Sequence, residues 1–181
     1  MLSQFSREGD RPTLADLFSF VKDVYPVGRL DADSEGLLIL TNDKALNAAL
    51  LNPANGHRRT YWVQVEGKIT DQALRQLEEG VEFRVKGKSH VSKPATARKI
   101  DEPELPPRNP PIRFRKNVPT DWVELRLSEG KNRQVRRMVA AVGFPALRLV
   151  RSAIESLTIE GMADGDVREL SGEDLRLLMK H

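Results

Sequence analysis

Apolar residues at every second position mark two long segments of the chain as strands. In "TYWVQVEG", Tyr61, Val63 and Val65 alternate with more polar neighbours, as they do in a strand with one buried face. "DWVELRLSEG" has the same alternation. The apolar run "LLIL" is too short for a helix and ends at the turn signal "TND", so it predicts a buried central strand. Shorter strands are expected in residues 81–100, "ALRLVR" and "ESLTIEG".

Apolar residues three and four positions apart predict the helices. These lie in "RPTLADLFSFVKDV", "DKALNAALL", "TDQALRQLEEG", "NRQVRRMVAAVG" and "SGEDLRLLMK". Thr13, Asp43, Thr70 and Ser171 are suitable amino-terminal caps, because their side-chain oxygens can accept bonds from free backbone N–H groups. Strands interspersed with helices and joined by short turns indicate an α+β fold with a largely antiparallel sheet.

The composition excludes several classes of protein. The chain has 181 residues, a usual size for one domain, and no cysteine. A disulfide framework, a thiolate nucleophile and a cysteine-based zinc site are therefore excluded, and a reducing cytosol is a suitable compartment. We expect no membrane span, because no run of about 18 apolar residues is present. The amino terminus also lacks the apolar core of a signal peptide.

Positive charge is concentrated in one part of the chain. The formal net charge is +3, but residues 112–151 hold ten Lys or Arg against three acids. Such a basic region suits a polyanion such as nucleic acid, although a solvated basic face is an equally plausible interpretation of composition alone. Residues 101–119 contain six of the eleven prolines, which predicts an extended and rigid segment.

The turn in "VGRLDADSEGLLILTND" carries three acids, Asp31, Asp33 and Glu35. An EF-hand calcium loop needs Glu at its twelfth position, where this chain has Asn42. A glycosidase carboxylate pair is disfavoured because aromatic residues make up only 6% of the chain. Asp33 and Glu35 are best explained as residues that shape the turn. Asp31 lies next to an apolar segment, so we expect an arginine from the carboxyl-terminal half to pair with it.

The segment "EGKNRQVRRM" presents a basic helix face. On a helix that starts near Asn132, Arg133, Arg136 and Arg137 lie beside the apolar stripe of Val135 and Met138. A solvated helix face is the simplest alternative. The preference for Arg over Lys nevertheless suits bidentate contacts to phosphate or carboxylate. Arg148 and Arg151 on the following strand are expected to extend this basic surface.

Three motifs in order resemble one enzyme family. "GRLDADSEGLLILTND", "RTYWVQVEG" and "EGKNRQVRRM" followed by "VGFPALRLVR" resemble the RsuA-type pseudouridine synthases of ribosomal RNA. The insert "LPPRNPPIRFRK" is most similar to the RluE group, which modifies 23S rRNA. The resemblance implies an α+β pseudouridine synthase fold. Such a fold is a two-lobed, mixed and mainly antiparallel sheet flanked by helices, with RNA in a central cleft.

The resemblance also implies which residues act. Asp31 matches the catalytic aspartate, Tyr61 the tyrosine that packs against the target base, and Arg136 the arginine that pairs with the catalytic carboxylate. Whether Asp31 attacks C1′ or removes a proton from C2′ stays open. The chemistry requires no metal and no cofactor. The expected RNA-binding residues are Arg29, Arg59, Arg113, Arg115, Lys116, Lys131, Arg133, Arg137, Arg148 and Arg151.

The resemblance further implies how the protein works in the cell. We expect one catalytic domain over residues 1–181, without the S4-type domain of many relatives and without the first strand of the family, which bears a KPxG-like motif. The expected partner is ribosomal RNA, 23S rRNA in particular. We expect no association with a membrane and expect the protein to be a cytoplasmic monomer. Two alternatives remain: a non-catalytic rRNA-binding or ribosome-assembly factor, and the same chemistry at a 16S rRNA site.

Overall fold

The two alternating segments form neighbouring strands at the centre of a mixed sheet. The computed structural model describes residues 1–112 and 118–179. Its strands are β1 (Tyr25–Pro26), β2 (Glu35–Gly36), β3 (Leu40–Thr41), β4 (Arg59–Glu66), β5 (Glu82–Val85), β6 (Lys88–Val91), β7 (Thr96–Ile100), β8 (Thr120–Leu127), β9 (Ala146–Ile154) and β10 (Leu157–Thr158). Its α-helices are α1 (Lys44–Leu51), α2 (Asp71–Glu79), α3 (Gln134–Ala141) and α4 (Gly172–Met179).

Six strands make up the main sheet. The order β10-β9-β4-β8-β7 is antiparallel throughout, and β2 joins β9 in parallel. Two short sheets lie outside it, the pair β1-β3 and the hairpin β5-β6. The predicted α+β class with a mixed, mainly antiparallel sheet is confirmed.

The main core lies between the sheet and helices α2 and α3. Inward-facing residues of β4 and β8, such as Val63 and Val123, are fully buried, as the alternation predicts. Leu77 of α2 and Met138 of α3 are fully buried against them. Each such side chain contributes roughly 1.5–3 kcal/mol through removal of apolar surface from water. This core makes β4, β8 and β9 a rigid support for the side chains at their ends.

A smaller core holds the segment that follows the acidic turn. Leu37 and Ile39 pack there with Val27, Leu50 and Leu178. The prediction that "LLIL" is a central strand is wrong. Only Glu35–Gly36 and Leu40–Thr41 are strands, and they pair with different partners, β9 and β1. An apolar run indicates that a segment is buried. Burial alone does not distinguish a strand from an extended segment that packs on a sheet.

Gly36 allows this segment to approach β9 closely. Its φ is +104°, and a Cβ at this position would lie 2.3 Å from the Arg151 carbonyl oxygen. Only glycine combines that backbone conformation with that proximity. The acidic turn is therefore held directly against β9.

The predicted helix over residues 11–24 is also wrong. The structure has a 3-10 turn at Leu14–Asp16, where Asp16 accepts bonds from the Thr13 N–H and hydroxyl. Phe18 and Val21, which the helix was expected to bury, are 51% and 75% exposed. A short helix needs tertiary packing of its apolar face, and here only Leu14 of that face is buried.

The other predicted helices are confirmed, with the expected caps at α1 and α2. Asp43 accepts from Ala45 N and Leu46 N, and Thr70 accepts from Ala73 N. Helix α3 begins at Gln134 rather than near Asn132, because Arg133 has a left-handed backbone with φ +51°. This conformation turns the loop before α3 towards the acidic turn.

Candidate active site

One pocket collects the acidic turn, the start of β4 and the loop before α3. Its volume is about 470 Å³, within the roughly 300–1,000 Å³ of small-molecule sites. Polar residues dominate the rim, and Leu149 and Val135 contribute apolar surface. Among the predicted catalytic residues, Asp31 and Tyr61 line this pocket. The cavity has the size and mixed character that a nucleoside requires.

Asp31 lies at the start of a tight turn at the pocket edge. The Ser34 N–H donates to the Asp31 carbonyl at 2.9 Å, which closes the turn. The preceding residue, Leu30, is bonded in both directions to Ser3. The Ser3 hydroxyl donates to the Leu30 carbonyl at 3.0 Å and accepts from the Leu30 N–H at 2.9 Å. The Asp31 side chain is 27% exposed, so its carboxylate is accessible from the pocket.

Arg133 is the arginine nearest to Asp31 among the described ion pairs. Its Nη1 lies 3.8 Å from Asp31 Oδ2. Arg136, which the family resemblance pairs with Asp31, instead has its Nε 3.4 Å from Asp33 Oδ2. Among the described residues, the predicted direct Asp31–Arg136 ion pair is not formed, and Arg133 is the arginine paired with Asp31. Arg136 still acts electrostatically on Asp31 from this position.

Asp33 organises the two arginines rather than only shaping the turn. Arg133 donates to both of its carboxylate oxygens at 2.8 Å, a bidentate geometry. Arg136 Nη2 donates to the Asp33 backbone carbonyl at 2.7 Å. The hydrogen bond from Arg133 lowers the pKa of Asp33, although partial burial opposes this effect. Burial lowers the pKa of Arg136, and the negative charge of Asp33 opposes that change.

Glu35 makes a second arginine cluster beneath the turn. Arg148 donates to it at 2.7 and 3.1 Å, and Arg108 Nε lies 3.0 Å from the same carboxylate. Arg148 also donates to the Pro106 carbonyl at 2.9 Å. Arg148 was predicted to contact RNA, and in this structure it contacts other parts of the protein. Its side chain is only 10% exposed and is occupied by Glu35 and the proline-rich segment.

Tyr61 and Arg151 are opposite each other on β4 and β9. Arg151 is 4% exposed, and its Nε donates to the Leu37 carbonyl at 2.7 Å. Burial lowers the pKa of Arg151, and its proximity to Tyr61 opposes this change. Arg151 was predicted to bind RNA as part of a basic surface. It lines the pocket, but it is too buried to serve as a surface cation. It instead connects the segment after the acidic turn to the wall of the pocket that Tyr61 provides.

The remaining predicted RNA-binding residues divide by environment. Arg29 and Lys131 are exposed on the pocket rim, and Arg59 is half-buried in the lining, where it donates to the Leu50 carbonyl. Arg137 donates to the carbonyls of Asn132 and Arg84. Three further predicted residues lie outside the described part of the chain: Arg113, Arg115 and Lys116.

Three residues at the site were not singled out from the sequence. Gln134 is 3% exposed; it accepts from Lys131 N at 2.8 Å and donates to Glu129 at 2.6 Å, which shapes the loop before α3. Arg108 and Ser3 also contact the acidic turn. In the sequence, Gln134 could have been noticed as the uncharged polar residue within the basic helix motif "RQVRR". No local pattern marks Ser3, because its partner is 27 residues away.

The described residues contain neither a cluster of metal ligands nor a membrane-spanning helix. No group of three or more His, Cys, Asp or Glu in residues 1–112 and 118–179 is arranged to hold a metal ion. Within the same ranges, no helix has the length and apolar character needed to cross a membrane.

The fold and the pocket together are those of an enzyme. The pocket suits an anionic, aromatic substrate such as a nucleotide, because the Asp31 carboxylate and Tyr61 lie among arginines. Comparison with known proteins agrees. A family model described as RNA pseudouridylate synthase matches residues 5–141. The chain belongs to the RNA pseudouridylate synthase family.

Individual relatives are similar over most of the chain. "Ribosomal large subunit pseudouridine synthase E" of Vibrio vulnificus (strain CMCP6) is 49% identical over 94% of this chain and 70% of that protein. The protein of the same name from Xanthomonas axonopodis pv. citri (strain 306) is 49% identical over 90% of this chain and 85% of its own. A crystal structure of a pseudouridylate synthase superposes with a TM-score of 0.78 at 26% identity, over 94% of this chain and 66% of that one.

Proposed function

We propose that this protein converts a uridine of large-subunit ribosomal RNA, 23S rRNA, to pseudouridine. One observation carries the proposal. The Asp31 carboxylate opens into a pocket of about 470 Å³ that Tyr61 also lines, and Arg133 lies 3.8 Å from that carboxylate. A protein that only binds RNA gains nothing from a carboxylate, which repels phosphate, at the edge of a pocket that Arg29, Arg59 and Arg133 also line.

The reaction breaks the N1–C1′ bond, turns the uracil and forms a C5–C1′ bond. The proton on C5 is lost to solvent and N1 regains one, so the product is an isomer. The target base must first leave its stack, which costs a few kcal/mol. Cationic residues on the rim, including Arg29 and Lys131, offset this cost through contacts to the RNA backbone.

Each site residue has a role in this scheme. Asp31 is the catalytic carboxylate, as nucleophile at C1′ or base at C2′. Tyr61 packs against the uracil ring, because aromatic faces stack on unpaired bases. Arg133 and Arg136, aligned by Asp33, favour the charged form of Asp31 and stabilise the charge that develops in the transition state.

The substrate assignment is supported by the names of the relatives, which specify the large ribosomal subunit. A 16S rRNA site is the second candidate and is less favoured by those names. Action on ribosomal RNA implies a cytoplasmic location. We further propose that the enzyme works as a monomer, because the carboxylate, the tyrosine and the arginines all come from one chain.

The decisive experiment replaces Asp31 by Asn. We expect the Asp31→Asn variant to fold and to bind 23S rRNA normally but to release no tritium from rRNA labelled at C5 of uridine, because the amide cannot supply the carboxylate's charge or basicity. Normal turnover by this variant would remove Asp31 from the chemistry. If the unmodified protein released no tritium while binding rRNA tightly, the non-catalytic assembly factor would replace the enzyme.

The position of the product identifies the substrate. In a strain that lacks the gene, carbodiimide treatment and primer extension should show the loss of one pseudouridine in 23S rRNA. Loss of a 16S rRNA signal instead would contradict the large-subunit assignment while leaving the reaction itself unchanged.

A further inference from the structure

The hairpin of β5 and β6 carries an excess of positive charge close to the candidate active site. Residues 84–93, "RVKGKSHVSK", contain four Lys or Arg and no acid. Arg84, Lys86, Lys88 and Lys93 are all exposed. None of these four takes part in an ion pair among the described residues, whereas Lys68, Lys99 and Arg98 on the neighbouring surface are all paired with carboxylates.

The hairpin is attached to the pocket rim at two points. Arg137 of α3 donates to the Arg84 carbonyl of β5 at 2.6 Å and to the carbonyl of Asn132, which lines the pocket. Beyond β6, the Lys93 N–H donates to Glu129, another lining residue, at 2.8 Å. Because both strands are connected in this way, the cations of the hairpin are held in a fixed relation to the pocket.

Local packing makes the hairpin rigid. Phe83 is 5% exposed in the main core, and the His90 ring lies against it at 6.2 Å between centroids. The two turn residues, Lys86 and Gly87, both have positive φ, as in the tight turns that suit a two-residue hairpin loop. The lysines at the turn are thereby presented to solvent on a short, ordered arm.

We propose that the β5–β6 hairpin and Lys93 form a docking surface for the sugar-phosphate backbone of an RNA helix beside the target uridine. The proposal rests on the proposed function, because it takes the pocket to hold the extruded nucleotide. Lys131 and Arg133, which line the pocket, place further positive charge on the pocket side.

The chemistry of this surface favours a helix over a single strand. Proteins that bind single-stranded RNA usually offer exposed aromatic side chains on which bases stack. Phe83 is buried and the partly buried His90 ring packs against it, so amines and a guanidinium dominate the exposed surface of the hairpin. Such a surface binds phosphates. A double helix exposes its phosphates on the outside while its bases stay stacked.

The test compares two double variants of the full chain. Lys86→Asn with Lys88→Gln removes two hairpin charges, and asparagine is chosen because it tolerates positive φ. Lys22→Gln with Lys44→Gln is the matched control, since both lysines are exposed and distant in sequence from the hairpin. The probes are a short RNA duplex and one of its strands alone, each titrated at several salt concentrations.

We expect the hairpin variant to bind the duplex at least about fivefold more weakly and to lose roughly one unit of salt slope per lysine. On the single strand it should behave like the control. With 23S rRNA as substrate, its KM should rise while kcat stays unchanged. Equal behaviour of the two variants on the duplex would overturn the docking surface, and an equal loss on duplex and single strand would overturn the helix assignment.

Failure of the proposed function would give a different result. In that case the unmodified protein would release no tritium from labelled 23S rRNA, whatever the two double variants do in the binding titrations.

Discussion

Asp33 and its two arginines illustrate how a single residue can organise a site that it does not line. Arg133 is 40% exposed and reaches the pocket, whereas Arg136 is 12% exposed and is not among the lining residues. Their positions imply different roles. If Asp31 has the proposed catalytic role, Arg133 can contact both its carboxylate and a phosphate of the substrate, whereas Arg136 acts on it electrostatically through the turn.

This difference can be measured with Arg136→Gln and Arg133→Gln. We expect Arg136→Gln to lower kcat by roughly 10²-fold with little change in RNA affinity, because it removes a buried charge that acts on the transition state. Arg133→Gln should weaken RNA binding as well as lower kcat. Single-turnover tritium release and equilibrium binding separate the two effects. If Arg136→Gln changed affinity alone, the division of roles would be wrong.

The sequence motifs indicated which residues belong to the site but not which of them pair with each other. Asp31 and Tyr61 line one pocket as predicted. Arg133, three residues before the predicted partner Arg136, lies 3.8 Å from Asp31, because the left-handed backbone at Arg133 and its bond to Asp33 are features without a local signal. From the sequence, Arg148 and Arg151 were expected at the surface. In the structure both are buried, and they donate hydrogen bonds to Glu35 and to the Leu37 carbonyl.

Among the elements, β8 is attached to the start of α2 by a buried carboxylate. Asp121 accepts from the Ile69 N–H at 3.0 Å and from the amines of Lys68 and Lys99 at 3.0 and 2.9 Å. Burial opposes ionisation, but the lysine and backbone bonds outweigh it, so the pKa of Asp121 lies below its usual value of 3.8. The ionised carboxylate therefore stabilises the fold.

The lowered pKa of Asp121 determines how the stability of the Asp121→Asn variant depends on pH. We expect this variant to be less stable by about 1–3 kcal/mol at neutral pH, because charge-assisted hydrogen bonds are lost. Since the folded-state pKa is lowered, the difference should be constant above pH 3.8 and should disappear as the pH falls below that value. Urea unfolding at a series of pH values measures it. A difference that grew on acidification would contradict this account.

The length of a predicted element did not decide whether it formed. Strands β4 and β8 and helices α1 to α4 are confirmed, with side-chain caps at α1, α2 and α4 but none at α3. Residues 11–24 have helical periodicity but bury only Leu14 of the expected apolar face, and "LLIL" is buried without being one strand. In both cases the outcome depends on distant parts of the chain, which local patterns do not contain.

For the molecule as a whole, the amino-terminal segment completes the candidate active site. Leu2, Ser3, Gln4 and Glu8 line the pocket, and Ser3 holds the residue that precedes Asp31 through two hydrogen bonds. The position of Asp31 thus depends on an amino-terminal segment that no sequence motif connects with the site.

The Ser3→Ala variant tests this dependence, and Ser6→Ala is its control because Ser6 is exposed at the surface. Each lost hydrogen bond is worth about 1 kcal/mol, so kcat should fall roughly three- to tenfold as the turn loosens. RNA affinity should change little. Equal kcat values for the two variants would show that the turn keeps its geometry without Ser3.

The acidic turn is built almost entirely from contacts across long stretches of chain. Asp33 and Arg133 are 100 residues apart, Glu35 and Arg148 are 113 apart, and Leu37 and Arg151 are 114 apart. Loops of this length must close before any of these bonds can form. During translation the aspartate leaves the ribosome long before its arginines, so a nascent chain remains inactive until strand β9 has emerged.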